Sequence, residues 1–237
     1  MVTVCPVSDL DAVASTAAEK IVTLCQSVRE TGGITGDGTA RIVLTGGGAG
    51  IRTLEKLVDA PIDWSRVHVF FGDERHVPVT DPESNEGQAR QALLDRIDIP
   101  EENIHGYRLG ELSPVDSAKE YTQVINTYAP QGFDLHLLGM GGEGHINSIF
   151  PHTEVATEQT RLVMQVTDSP KPPAERVTLT FPAITRAQRV WLLVAGAEKA
   201  EAAYHVAAGS NPLDWPAAGA QGEQETLLIV AQDAALK

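Results

Sequence analysis

The chain has 237 residues, of which 42% are hydrophobic and 21% are charged, so it can fold around a sizeable core and is not a disordered chain. Its formal net charge is −14 at pH 7, which argues against nucleic-acid partners and anionic membrane surfaces because both would repel it. A small anionic substrate stays compatible with this charge, provided that a few local cations and backbone N–H groups bind it.

The cysteine content and the N-terminal segment indicate the compartment. Cys5 and Cys25 are too few for a disulfide framework and are not spaced like metal ligands. The N-terminus lacks a basic region followed by an apolar stretch, so we predict no signal peptide. No apolar run reaches the ~20 residues that a membrane helix needs. We therefore expect a cytoplasmic protein that is a monomer, with a weak dimer as the alternative.

Strand-like apolar runs alternate with helical patterns along the whole chain. In chain order, the predicted elements are strand Val2–Cys5, a helix from Ser8 to about Arg29, strand Arg41–Thr45, helix Ile51–Val58, strand Val67–Phe71, helix Asn85–Ile97, a helix from Ser113 to about Tyr128, strands Phe133–Leu138, Leu162–Val166, Val177–Thr180 and Val190–Ala195, helix Glu198–Ala208 and strand Thr226–Val230.

This alternation predicts an α/β fold with a doubly wound, mostly parallel Rossmann-like sheet and helices on both faces. Several of the strands are nearly continuous runs of Val, Ile, Leu and Phe, as expected of parallel strands that are covered on both faces. Because the sequence has no internal repeat and no low-complexity linker, we predict a single domain over residues 1–237.

Ligands of such sheets bind outside the carboxyl ends of the strands, so the loops that follow strands are the candidate ligand sites. The first contains Gly46, Gly47 and Gly48. Glycines allow close approach of the backbone, and the next helix begins with free N–H groups, so the loop suits phosphate binding; a plain tight turn is an equal alternative. The loop matches neither a P-loop nor a complete dinucleotide fingerprint. A nicotinamide or flavin binder, with Asp73 on the ribose, remains an alternative.

The second loop follows strand Val67–Phe71 and changes abruptly to the ionisable residues Asp73, Glu74, Arg75 and His76. Arg75 would provide a fixed cation for an oxyanion or a phosphate, with Asp73 holding its geometry. A solvated turn with a local ion pair is the alternative interpretation.

The third loop follows strand Phe133–Leu138 and contains Glu143 and His145 among glycines. We predict that His145 lies at the start of a short helix, where it could take a proton from water at neutral pH. Glu143 would orient the ring or polarise the same water. A metal site with His152 is the alternative, but no ligand motif supports it.

Two further loops add Arg176 and Lys199 as candidate anion-binding residues. Lys199 is expected in the first turn of a helix, where a cation opposes the helix dipole unless an anion binds nearby. An ordinary surface lysine is the alternative.

Taken together, these loops resemble the 6-phosphogluconolactonase family. The matching segments are Phe70–Pro78 with Ser84 and Asn85 (FF-x-DER-x-VP…SN), Leu137–Pro151 (LLG-x-G-x-DGHTASLFP), Arg176–Thr180 (RVTLT) and Gly196–Ala200 (G-x-x-K-A). Two departures stand out: Gly48-Ala49 replaces the usual Ser-Thr of the first loop, and Glu143 replaces the family aspartate.

The resemblance implies hydrolysis of 6-phospho-D-glucono-1,5-lactone, a step of the oxidative pentose phosphate pathway, without a metal or an organic cofactor. It implies that His145 is the general base and that Glu143 orients it or the water. Arg75, held by Asp73, would face the oxyanion or the phosphate. The remaining candidates for phosphate binding are Gly46, Gly47, Gly48, Lys199 and Arg176.

Two other functions stay open on the sequence. The related glucosamine-6-phosphate deaminases carry a GHIAFNEP motif, which Gly144–Asn147 matches in part, although Ser148–Pro151 follows the lactonase pattern. A sensor that binds sugar phosphates without turnover is the non-enzymatic alternative.

Overall fold

The computed structural model describes residues 1–235. The strands are β1 (Val2–Val7), β2 (Ala40–Leu44), β3 (Val67–Phe71), β4 (Asp73–Arg75), β5 (Ile104–His105), β6 (Phe133–Leu138), β7 (Val163–Val166), β8 (Arg176–Leu179), β9 (Ala187–Val194) and β10 (Glu225–Ala231). The α-helices are α1 (Leu10–Thr31), α2 (Gly47–Glu55), α3 (Asn85–Ala92), α4 (Pro114–Tyr128), α5 (Phe181–Ile184) and α6 (Ala200–Ala208).

The main sheet has seven strands in the order β1-β10-β9-β6-β2-β3-β5, and all neighbours pair in parallel. Every residue of β2 and of β6 is buried, as the continuous apolar runs predicted. The helices pack around this sheet. The predicted fold class, a doubly wound and mostly parallel α/β sheet, is therefore confirmed; the single domain stays a prediction.

A second, antiparallel sheet has the order β4-β8-β7. The sequence had placed the strands at Leu162–Val166 and Val177–Thr180 in the parallel sheet, which is wrong. Only residues 167–175 connect β7 to β8, and a parallel pair needs a crossover of a dozen or more residues, so the two strands pair antiparallel.

Several helix boundaries differ from the predicted ones. Helix α2 begins at Gly47, before the predicted Ile51, because the glycines themselves form its first turn. Helix α3 ends at Ala92 and gives way to a 3-10 turn, so the predicted end at Ile97 is wrong. Helix α6 begins at Ala200, directly after another 3-10 turn.

Helix α1 illustrates how the core is built. It has 22 residues, and Val13, Ala17, Ile21, Leu24 and Val28 are buried on one face at the spacing of an amphipathic helix. Its other face is polar. No helix among residues 1–235 is long and apolar enough to cross a membrane.

Gly72 joins the two sheets. Its N–H donates to the Leu44 carbonyl of β2 at 3.2 Å, and its carbonyl accepts from the Leu179 N–H of β8 at 2.8 Å. A Cβ on Gly72 would lie 2.2 Å from Oδ1 of Asn147, so no larger residue fits without displacement. The chain therefore passes from the parallel to the antiparallel sheet through one residue without a side chain.

Candidate active site

The candidate site is a cleft of about 150 Å³ at the carboxyl edge of the main sheet. It lies where the strand order reverses: the next main-sheet strand after β2 is β3 on one side, and the next after β6 is β9 on the other. Doubly wound sheets bind ligands at such a point. The Gly139 N–H donates to the Thr45 Oγ1 at 2.8 Å and so joins the loops that follow β6 and β2.

Eight of the nine predicted site residues line this cleft. They are Gly46, Gly47, Gly48, Asp73, Arg75, His145, Arg176 and Lys199. The ninth, Glu143, does not line the cleft and contacts His145 instead.

The glycine loop places free backbone N–H groups at the start of α2. Gly47 has a φ of 77°, a left-handed conformation that favours glycine. Gly46 is the N-cap residue and supplies no capping side chain. A Cβ on Gly48 would meet nothing within 4 Å. The helix N-terminus therefore offers donors and open space, as an anion site requires.

Asn85 connects Asp73 to Arg75, so Asp73 acts on the geometry of Arg75 through a side-chain amide. The Asn85 Nδ2 donates to the Asp73 Oδ1 at 3.0 Å, and the Asn85 Oδ1 accepts from the Arg75 Nη1 at 2.9 Å. An amide from the first residue of α3 thus joins two side chains of β4. The Arg75 Nε is buried without a hydrogen-bond partner among residues 1–235.

Glu74 has a structural role between these two residues. Its buried carboxylate accepts from the backbone N–H groups of Arg75, Asn85 and Glu86 and from the Ser84 hydroxyl, at 2.7–2.9 Å. Burial raises the pKa of Glu74, and the hydrogen bonds oppose that shift. The carboxylate thus fixes the start of α3 relative to β4 and holds Asn85 in place.

His145 lies in a turn, so the prediction of a helix start at this position is wrong. Gly144 has a φ of 78° and Asn147 a φ of 48°, and these left-handed residues prevent a helical path. Instead, Ile146 and Ile149 form an isolated antiparallel bridge.

The His145 ring is held by stacking on Phe150, with centroids 4.4 Å apart and planes 23° apart. Its side chain is 19% exposed. The Nδ1 is buried and lies 3.2 Å from the Glu143 Oε1, close enough for an ion pair but without an aligned hydrogen bond. Burial lowers the pKa of His145, Glu143 opposes that shift, and Lys171 adds to it. A neutral imidazole at neutral pH can act as a base.

Lys171 is a residue of the site that the sequence analysis missed. Its Nζ lies 2.8 Å from the Glu143 Oε1 and 3.1 Å from the Oε2. Although burial raises the pKa of Glu143, the hydrogen bond from Lys171 and other interactions bring it down to about 2. Glu143 is therefore ionised at neutral pH. No local pattern signals this contact, which joins residues far apart in the chain.

Arg176 lines the cleft, but backbone carbonyls engage most of its donors. Its Nε donates to the Pro173 carbonyl at 3.0 Å, and its Nη2 donates to the carbonyls of Lys171 at 2.9 Å and Pro172 at 3.3 Å. The Nη1 lies 4.0 Å from the Asp73 Oδ2. Arg176 thus fixes residues 171–173 against the cleft.

Ser148 is a second residue that the sequence analysis missed. Its Oγ donates to the Asp73 Oδ2 at 2.6 Å, and its backbone N–H donates to the Thr178 Oγ1 at 3.2 Å. These bonds attach the loop that carries His145 to both β4 and β8, so that the loop and the antiparallel sheet form one wall of the cleft.

Lys199 lines the cleft from the loop that follows β9. It lies in the 3-10 turn Ala197–Lys199 after β9 and precedes α6, close to the predicted first turn of a helix. It has no ion-pair or hydrogen-bond partner within the described range 1–235, so its ammonium is available to a ligand. The same range contains no group of three or more His, Cys, Asp or Glu residues that could hold a metal ion, the alternative with Glu143, His145 and His152 included.

Comparison with known proteins gives consistent results. A family profile described as "Glucosamine-6-phosphate isomerases/6-phosphogluconolactonase" matches residues 8–229. The 6-phosphogluconolactonase of Mycobacterium tuberculosis is 50% identical over 213 residues, which cover 84% of this chain and 85% of the relative. That of Streptomyces coelicolor is 37% identical over 243 residues, 96% of this chain and 91% of the relative. The crystal structure of 6-phosphogluconolactonase from Thermotoga maritima superposes with a TM-score of 0.87 at 28% identity, covering 98% and 100% of the two chains.

Proposed function

Because the chain belongs to the family of glucosamine-6-phosphate isomerases and 6-phosphogluconolactonases, we propose a mechanism for the reaction that it catalyses, the hydrolysis of 6-phospho-D-glucono-1,5-lactone to 6-phospho-D-gluconate. This hydrolysis is a step of the oxidative pentose phosphate pathway. The strongest support for the mechanism is that one cleft contains a partly buried imidazole, two available cations and a helix N-terminus.

The reaction begins when the Nε2 of His145 takes a proton from a water molecule. Its Nδ1 faces the ionised Glu143 at 3.2 Å, which favours the tautomer that carries the proton on Nδ1 and leaves the Nε2 lone pair free. The water oxygen then bonds to the lactone carbonyl carbon, and the carbonyl π electrons move to the oxygen. Glu143 acts here by orienting the ring.

Arg75 stabilises the resulting oxyanion. Ser148 and Asp73 attach the His145 loop to β4, which carries Arg75, so the base and this cation lie on the same wall of the cleft. The tetrahedral intermediate collapses by breaking the bond between the carbonyl carbon and the ring oxygen. The imidazolium gives its proton to that oxygen, and the acid product ionises.

The phosphate binds on the other side, at Lys199 and at the backbone of Gly46, Gly47 and Gly48. Lys199 follows β9, whereas Arg75 follows β3, and β6 and β2 lie between these strands in the sheet order. Two cations that reach one cleft from different strands suit the two ends of one substrate. Arg176 contributes less to phosphate binding because carbonyl groups already accept from its donors.

The proposed reaction needs no metal ion and no organic cofactor, because water, a base and fixed cations suffice for ester hydrolysis. We expect the protein to act in the cytoplasm as a monomer, with a weak dimer as the alternative, and to have no nucleic-acid or membrane partner. The net charge of −14 supports the last point.

The deciding experiment follows lactone decay, with the lactone generated by glucose-6-phosphate dehydrogenase and spontaneous hydrolysis subtracted. Ammonia release from glucosamine 6-phosphate is measured in parallel. Accelerated lactone decay without ammonia is expected. Ammonia release would assign the chain to the deaminases of the family, and tight binding of 6-phosphogluconate without either reaction would identify a sensor.

A further inference from the structure

The carboxylate of Glu143 lies between Lys171 and His145 and is closer to Lys171. Lys171 contacts both of its oxygens, at 2.8 and 3.1 Å, whereas the His145 Nδ1 approaches only Oε1, at 3.2 Å and without an aligned hydrogen bond. A free glutamate beside a histidine would turn towards the ring nitrogen, because an aligned charge-assisted hydrogen bond is the stronger arrangement. Lys171 therefore draws the carboxylate away from that arrangement.

The fold fixes the position of Lys171. Its carbonyl accepts from the Arg176 Nη2 at 2.9 Å and from the Ser169 Oγ at 2.9 Å. Its ammonium lies 6.0 Å from the ring centroid of Phe150, the ring on which His145 stacks. The side chain, 49% exposed, thus extends from an anchored backbone over the outer side of the site.

We propose that Lys171 is a positioning residue for the general base: by binding Glu143, it keeps the carboxylate off the axis of the His145 Nδ1 and so keeps the imidazole neutral and reactive. This inference rests on the proposed role of His145. It adds a residue that does not line the cleft and that touches no reacting atom.

Other charged groups also face His145. Asp73 on β4 favours the charged imidazole, as Glu143 does on the ring's own loop. Arg75 and Lys199 line the same cleft, and the Arg176 guanidinium lies 5.8 Å from the Phe150 ring centroid. Among these groups, Lys171 is the cation that binds Glu143, the carboxylate that also faces the His145 ring. Removal of Lys171 should therefore favour the protonated imidazole in two ways. The repulsion between the two positive charges is lost, and Glu143 is free to turn towards the ring.

The test is the His145 titration in Lys171→Met, followed by NMR of the ring Cε1–H and by the acidic limb of the kcat/KM profile. Loss of one nearby, half-exposed charge should move both midpoints to higher pH by about 0.5–1 unit. At alkaline pH, where His145 is neutral in either protein, kcat should return to the wild-type value. Lys171→Arg should restore the wild-type midpoint.

Lys119→Met is the matched control, since it removes the same charge from an exposed helix position whose side chain is 71% exposed. It should leave the midpoint unchanged. In a Glu143→Gln background, Lys171→Met should give a clearly smaller shift, because the mediating carboxylate is absent.

An unchanged NMR midpoint in Lys171→Met would overturn the inference, and so would an equally large shift in the Glu143→Gln background. These outcomes are distinct from failure of the proposed function. If His145→Ala retained near-wild-type activity, His145 would not be the base, whereas the NMR titration would still decide whether Lys171 sets the charge of its ring.

Discussion

A Cβ added to Gly46 would lie 2.3 Å from the Oδ1 of Asn85, the same oxygen that accepts a hydrogen bond from the Arg75 Nη1. The glycine loop and Arg75, the candidate oxyanion cation, therefore both pack against the side-chain amide of Asn85. Any side chain at position 46 must displace Asn85 and, with it, Arg75.

Gly46→Ala should consequently lower kcat, by roughly 10- to 100-fold, because a displaced oxyanion donor loses part of its contribution. Gly48→Ala is the matched control, since its Cβ would meet nothing within 4 Å and its backbone is not left-handed. Steady-state kinetics of both variants test this. Equal losses in the two variants would show that the clash with Asn85 has no role.

The open space at Gly48 also predicts a gain. A serine hydroxyl at this position would add a donor beside the N-terminus of α2, where the loop now offers only backbone N–H groups. Gly48→Ser should lower KM for the lactone about two- to tenfold, the effect of one added hydrogen bond with a net contribution of about 0.5–1.5 kcal/mol. Measurement of KM for the lactone and of Kd for 6-phosphogluconate checks this. An increase in both constants would place the phosphate elsewhere.

Loss of the general base should reduce the rate of the chemical step. His145→Ala is expected to lower kcat by about 10²–10⁴-fold, the usual contribution of such a group. His152→Asn is the control, because its side chain is 64% exposed and asparagine tolerates the left-handed backbone at this position. Circular dichroism should show both variants folded. Near-wild-type turnover by His145→Ala would exclude it as the base.

Lys199→Ala should act mainly on binding. The ammonium has no partner within residues 1–235, so its removal takes away an anchor for the phosphate and leaves the reacting groups in place. We expect KM to rise about 10- to 100-fold with a much smaller change in kcat. Lys119→Ala, at an exposed position, provides the baseline. An unchanged KM in Lys199→Ala would remove this residue from the phosphate site.

Acid should destabilise the fold through two buried histidines. Burial lowers the pKa of His136 to about 3 and that of His105 to about 4, below the value of about 6.5 in an unfolded chain. Between those values the unfolded state binds protons that the folded state does not, so stability is full above pH 6.5 and falls as the pH drops below it. His136 alone should reduce the free energy of unfolding by about 2 kcal/mol between pH 7 and pH 5.

Urea denaturation at pH 7 and pH 5 measures this loss. His136→Gln is expected to be less stable at both pH values, because it alters a fully packed position, but its stability should depend less on pH. An equal pH dependence in the two proteins would show that His136 is not kept neutral by the fold.

The sequence predicted the main sheet well because continuous apolar runs fix strands of that kind within a few residues. It failed where the signal is short or tertiary. Strand β4 consists of the charged residues Asp73–Arg75, and β5 has only two residues, so neither has a strand pattern. The strands β7 and β8 were recognised, but their sheet was not, since pairing partners depend on connection length and on contacts elsewhere in the chain.

The residues of the site also fall into two groups, those that the sequence predicted and those that it did not. Residues directly after strands could be found, because the edge of a parallel sheet collects them. Their supports could not: Ser148 reaches Asp73 from a turn that contains the left-handed Asn147, Asn85 lies at the start of α3, and Lys171 lies in the connection between β7 and β8. Local patterns carry no information about such contacts, so the bridging role of Asn85 and the contact of Lys171 with Glu143 were missed.

Gly72 and Gly48 differ in how well each position tolerates a side chain. Because the Asn147 amide occupies the space of the side chain that Gly72 lacks, every substitution at position 72 would displace that amide on the loop that carries His145. In directed evolution, Gly48 could accept many replacements and retune the choice of substrate, whereas position 72 should favour glycine. A new specificity is therefore reached by diversifying position 48, while the glycines at positions 46 and 72 are kept.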